Sequence, residues 1–65
     1  MPTWRAGGYV IRMYQNDHRP LHVHVFKDGD EVARFDLENG EFMAGSEPRH
    51  FGRIKRALKR GGLVD

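Results

Sequence analysis

The sequence predicts an α+β fold in the order βββα: a three-stranded antiparallel meander with one C-terminal amphipathic helix packed on one face. Three observations carry this expectation. Leu21, Val23 and Val25 alternate with His22, His24 and Phe26, the period of a strand. Asp28-Gly29-Asp30 is a tight-turn signal that joins this run to a second alternating one. Phe51, Ile54, Ala57 and Leu58 then recur at helical spacing behind Ser46-Glu47-Pro48.

In chain order, Gly7-Gly8 opens the first strand, Tyr9 to Tyr14, a run rich in β-branched and aromatic residues. Gln15 to Pro20 is polar, and Pro20 biases Arg19 towards extended geometry, so the segment reads as a loop. Leu21 to Lys27 is the second strand and Glu31 to Glu38 the third. On the third, Ala33, Phe35 and Leu37 share the apolar face, with Val32, Arg34 and Asp36 on the other. Asn39-Gly40 marks another turn. Glu41 to Gly45, carrying Phe42 and Met43, reads either as a brief extension or as a loop. Ser46 is the expected N-cap and Pro48 suits the first helical turn, where its missing N–H costs nothing. Gly61-Gly62 ends the helix, and Leu63 and Val64 are placed to fold back on it. The expected core joins Ile11, Met13, Leu21, Val23, Val25, Phe35 and Leu37 to Phe51, Ile54 and Leu58.

Sixty-five residues make one domain, residues 1–65, with little core to spare. Small folds find extra stability in disulfides, a metal or a partner chain. The chain has no cysteine, which removes disulfides and thiolate metal sites. No cationic start leads into an apolar run, and no run approaches the ~20 residues of a bilayer span. A soluble, cytoplasmic protein without a membrane role is therefore expected, and a second copy of the chain is one expected partner. The net charge of +2 hides a division. Residues 1–48 hold five Arg and Lys against eight Asp and Glu, whereas residues 49–65 hold six against one. A basic segment on a mildly acidic body points to an anionic partner for that segment.

The alternation fixes the direction of two histidines. If Val23 and Val25 face the helix, His22 and His24 face away, beside Phe26, Arg12, Arg34 and Asp36. His22 and His24 lie on one face with Cα atoms about 6.5 Å apart, a pair able to grip zinc with a third ligand such as Asp36, Asp17 or His18. No third ligand is spaced for the task, so neither metal nor other cofactor is expected. Acid–base chemistry needs one group to take a proton and one to give it, and histidine titrates near neutrality. His22 and His24, with His18 beside them, are the candidate catalytic residues for RNA cleavage, and Arg12 or Arg34 would stabilise charge developing on phosphate. The letters P-L-H-V-H-V-F also resemble a histidine-triad signature, but the third position is Phe26 and the chain is too short for that fold. Against all of these stands the plainer view of half-exposed sheet residues that pack and contact a partner. His50 is expected on the first helical turn and carries no assigned role.

Arg49, Arg53, Arg56, Lys59 and Arg60 cover the helix face opposite the apolar stripe. That arc bears no acid for pairing, and arginine's planar fork matches phosphate better than lysine does. Sequence-independent contact with RNA or DNA is the expected use, with an acidic protein surface close behind.

Pro2 to Tyr9 (P-T-W-R-A-G-G-Y), Asn16 to Val25 (N-D-H-R-P-L-H-V-H-V) and Ala33 to Leu37 (A-R-F-D-L) resemble a family of small bacterial proteins catalogued as a domain of unknown function. The resemblance implies His18, His22 and His24 as characteristic positions, with Asn16, Asp17 and Pro20 shaping their loop. It also implies a neighbour: such proteins are often encoded beside another small protein, as in a toxin–antitoxin pair. Many relatives continue their helix beyond the equivalent of Gly61-Gly62-Leu63-Val64-Asp65, which weighs against a partner surface built on such an extension. The expected function is thus a toxin–antitoxin-like module that binds a cognate small protein from the same operon, together with RNA or DNA. Its sheet face (Arg12, His22, His24, Phe26, Arg34) and its basic helix would be the two contact surfaces. A metal-independent endoribonuclease toxin using His22 and His24 is the alternative.

Overall fold

A computed structural model describes residues 3–13 and 21–64. Within them the chain forms one antiparallel sheet whose strands β1 (Thr3–Ala6), β2 (Tyr9–Arg12), β3 (His22–Lys27), β4 (Asp30–Asp36) and β5 (Glu41–Phe42) lie side by side in chain order. A 3₁₀ turn, Pro48–His50, leads into the helix α1 (Phe51–Arg60). The α+β class and the C-terminal helix agree with the sequence; the strand count does not, since the described sheet has five strands where three are expected.

Both added strands have a physical cause. Gly7 and Gly8 have φ of 59° and 84°, so they form the turn of a two-residue hairpin that pairs Ala6 with Tyr9. A turn with two left-handed residues matches strand twist and suits glycine, and it draws Thr3–Ala6 into the sheet as an edge strand. Asp28 and Gly29, at 54° and 85°, make the same kind of turn between β3 and β4. The short β5 is set by its aromatic residue: Phe42 stacks on Phe51 at 3.7 Å between ring centres and meets Phe35 edge-on at 4.9 Å. Phe42 thereby ties the end of β4 to the start of α1.

The core lies between sheet and helix. Tyr9, Ile11, Val23, Val25, Ala33 and Phe35 bury the inner face against Ile54, Ala57 and Leu58. Each fully buried aliphatic side chain contributes about 1.5–3 kcal/mol. Met13, Leu37, Leu63 and Val64 pack at the margins, as does Trp4. Leu21 departs from expectation: it precedes β3 and is 46% exposed, its backbone carbonyl accepting from Leu37 N–H at 2.9 Å.

Two further corrections bear on the site. Pairing slips between Val25 and Phe26, so that Phe26 faces Glu31 and Val32 has no cross-strand partner in the register. This bulge lets Val32 enter the core, although simple alternation sends it outward. It also turns Glu31 onto the outer face beside Phe26. Ser46 is not the helix cap. Its hydroxyl accepts from Arg34 N–H at 3.0 Å and donates to Arg34 C=O at 3.2 Å, so it completes the edge of β4 instead. Glu47 and His50, which precede the 3₁₀ turn and α1, make no side-chain cap bond. At the other end Gly62 is left-handed (φ 74°), with Gly62 N–H donating to Lys59 C=O and Leu63 N–H to Leu58 C=O. That pair of hydrogen bonds closes the helix and returns Leu63 to pack against the core.

Candidate functional site

Two surfaces carry the polar side chains singled out above, on opposite sides of the core. On the outer sheet face the register sets Arg12 opposite His24, His24 opposite Arg34, and His22 opposite Asp36. The two imidazoles are neighbours, with ring centres 5.0 Å apart. His24 Nδ1 lies 2.6 Å from Glu31 Oε1. A carboxylate only accepts, so Nδ1 carries the proton and the bond fixes the tautomer. His22 is 8% exposed, more enclosed than a half-exposed sheet residue.

Asp36 is likewise enclosed and accepts from Asn39 Nδ2 at 2.7 Å and from the backbone N–H groups of Glu38 and Asn39, both at 2.9 Å. The Asn39 side chain, the backbone amides and the His22 charge hold its carboxyl below the usual 3.8, against the opposing effect of burial. Arg12 lies over the Phe26 ring at 5.7 Å. Arg34 has a structural job: its Nη2 donates to Ala44 C=O at 3.2 Å and so steadies the connection after β5. The outer face therefore gathers His22, His24, Arg12, Phe26, Arg34 and Asp36 as expected and adds Glu31. His18, Asn16, Asp17 and Pro20 lie outside the described residues. Among the described residues no three His, Asp or Glu side chains come together as a metal-binding group.

The second surface is the solvent side of α1. Arg53, Arg56, Lys59 and Arg60 are exposed there, as is Lys55, a fifth cation outside the arc expected from the sequence. None of the five forms an ion pair among the described residues. Arg49 differs: it sits on the 3₁₀ turn, and its Nη2 reaches Glu47 at 3.3 Å. Arg53, Arg56 and Arg60 line one hollow together with Gly7 and Ala57.

His50 has a role that spacing alone does not reveal. Its Nδ1 lies 2.9 Å from the hydroxyl of the buried Tyr9, and its Nε2 lies 3.7 Å from Glu47 Oε2. With the Nε2 proton towards Glu47, the tyrosine donates to Nδ1, and the start of the helix is fastened to β2.

A family model described as Domain of unknown function (DUF4160) matches residues 8–60. No curated protein and no solved structure matches the chain. No helix among the described residues is long and apolar enough to cross a membrane.

Proposed function

Because the chain belongs to this family, described as a domain of unknown function, its kinship names no activity, and we propose one from its surfaces. The protein is a cytoplasmic module that binds RNA or DNA through backbone phosphates and pairs with a cognate small protein, as in a toxin–antitoxin operon. One observation carries the nucleic-acid half of this reading: Arg53, Lys55, Arg56, Lys59 and Arg60 stand exposed on one helix without a carboxylate partner among the described residues. Cations held close together without internal compensation gain most from an external polyanion, because each contact releases condensed counterions. Partner pairing rests on the resemblance described above, with the outer sheet face as its proposed contact surface.

Binding of short single-stranded RNA and DNA across a series of salt concentrations tests the phosphate role. Affinity should fall steeply as salt rises, and replacing Arg53, Arg56 and Arg60 together with Gln should flatten the log–log slope by about 2. An affinity that barely changes with salt removes the helix from the reading. Co-expression with the product of the neighbouring gene tests the pairing, which fails if the two do not co-purify.

A second reading is favoured by the His24–Glu31 bond and the His22–Asp36 juxtaposition. Two adjacent imidazoles, each beside a carboxylate, are the equipment of a metal-independent endoribonuclease. One would take the 2′-hydroxyl proton, the other would protonate the departing 5′-oxygen, and Arg12 would offset charge on phosphorus. RNA cut in the presence of chelator, and left intact by His22→Ala and His24→Ala, would establish it. Binding without cleavage would leave the module reading alone.

A further inference from the structure

The hollow beside the first hairpin has a chemistry of its own. Its lining is Gly7 from the hairpin turn and Arg53, Arg56, Ala57 and Arg60 from α1. A Cβ built on Gly7 would lie 3.9 Å from the Ala57 methyl, so hairpin and helix nearly touch at the floor. Both contributors are small, and among the described residues the lining adds three arginines to them and no acid. Guanidinium does not lose its proton in proteins, so the wall keeps three positive charges at any physiological pH. The hollow measures about 260 Å³. One water needs only about 10–15 Å³ of such volume, so the hollow has room for a group of several heavy atoms.

We infer that this hollow seats a phosphate monoester, the terminal phosphate of a nucleic-acid strand. The inference rests on the nucleic-acid reading above and specifies which phosphate the arginines take. A diester inside a strand carries one negative charge and has chain leaving on both sides, so it lies along a surface. A terminal monoester carries close to two charges and three terminal oxygens, and enters a concavity end-on. Three planar forks around one cleft match three oxygens better than two. The charge beyond the hollow favours a strand over a phosphorylated protein side chain. Lys59 follows Arg56 by three positions, so this exposed cation adjoins the edge of the hollow, and Lys55, four positions before Lys59, continues the cationic surface away from it. They lie where the next phosphates of a strand would pass.

The test compares short oligoribonucleotides of one sequence, labelled internally, with a 5′-phosphate, a 3′-phosphate or hydroxyls at both ends. A phosphoserine peptide of equal net charge is the fourth ligand. The wild-type chain should bind one of the phosphate-ended strands about tenfold more tightly than the hydroxyl-ended strand, and the two phosphate-ended strands tell which terminus is taken. Arg56→Gln should bring that ratio close to one. Lys55→Gln, outside the hollow, should weaken all strands alike and keep the ratio. Where Arg56→Gln melts below the assay temperature, Arg60→Gln takes its place. Equal binding of all three strands overturns the terminal-phosphate seat and leaves backbone binding standing. Tighter binding of the phosphopeptide overturns it in favour of a protein ligand. Failure to bind any strand removes the nucleic-acid reading itself, and the seat with it.

Discussion

On the outer face of the sheet His24 holds Glu31 at 2.6 Å and His22 stands opposite Asp36, whereas on the helix Arg53, Arg56 and Arg60 share a hollow with no carboxylate among the described residues. The sheet face is paired from within: each imidazole stands beside a carboxylate across strands whose spacing the backbone already fixes. The helix face is not. Its cations repel one another, and the fold tolerates them because the apolar stripe of Ile54, Ala57 and Leu58 holds α1 in place. Charges that a protein pairs internally act on its own geometry; charges without a described partner are free to meet solvent or a ligand. Substitutions on the two faces should therefore affect stability with opposite signs.

The most disruptive test lies between them. Ile54→Ala should cost about 2–5 kcal/mol, comparable with the whole stability of so small a core. Thermal denaturation followed by circular dichroism should show a largely unfolded chain, with both faces lost together. A variant that stays folded would show that Ala57 and Leu58 suffice to hold the helix to the sheet.

Next in size is Asp36→Asn. The native carboxyl titrates below 3.8, so its ionised form adds stability that is present above that value and lost as pH falls through the lowered native value. The substitution should lower the melting temperature at pH 7, and the difference should fade below pH 3.8. A difference independent of pH would mean that packing, not charge, is lost. Glu31→Gln is milder, because Glu31 is 40% exposed. It should cost less than about 1 kcal/mol, and a larger loss in urea titrations would make the His24–Glu31 pair a structural strut. Smallest of all, Arg56→Gln should leave stability unchanged or raise it at low salt by a few tenths of a kcal/mol, by analogy with like-charge pairs on helices. A clear loss would reveal an internal partner for Arg56 and break the contrast between the faces.

The two faces also differ in how far they could be read from the chain. Helical spacing identifies the arginine face directly, since every residue on it belongs to one regular element. Alternation likewise sends His22 and His24 to the outer face, where they lie. What alternation cannot register is an extra residue. The bulge at Val25 and Phe26 turns Glu31 towards His24 and Val32 into the core, so the closest carboxylate of the site goes unrecognised. Gly7-Gly8 precedes a β-rich run and reads as its opening, whereas its two left-handed residues make it a turn with a strand on each side. Ser46 looks like a cap from its place before Glu47-Pro48, yet β4 competes for its hydroxyl and wins. The Tyr9–His50 bond joins residues too distant in sequence for any local pattern to link.

The near contact between Gly7 and Ala57 has a kinetic side. It joins the first hairpin to the C-terminal helix, positions far apart in the chain, and a non-local contact of this kind carries the loop-closure cost that slows folding. The arginine cleft therefore has no half-formed version. Denatured protein carries the same arginines but not the concavity, so any binding that depends on the hollow's shape should be lost on unfolding while plain charge attraction remains.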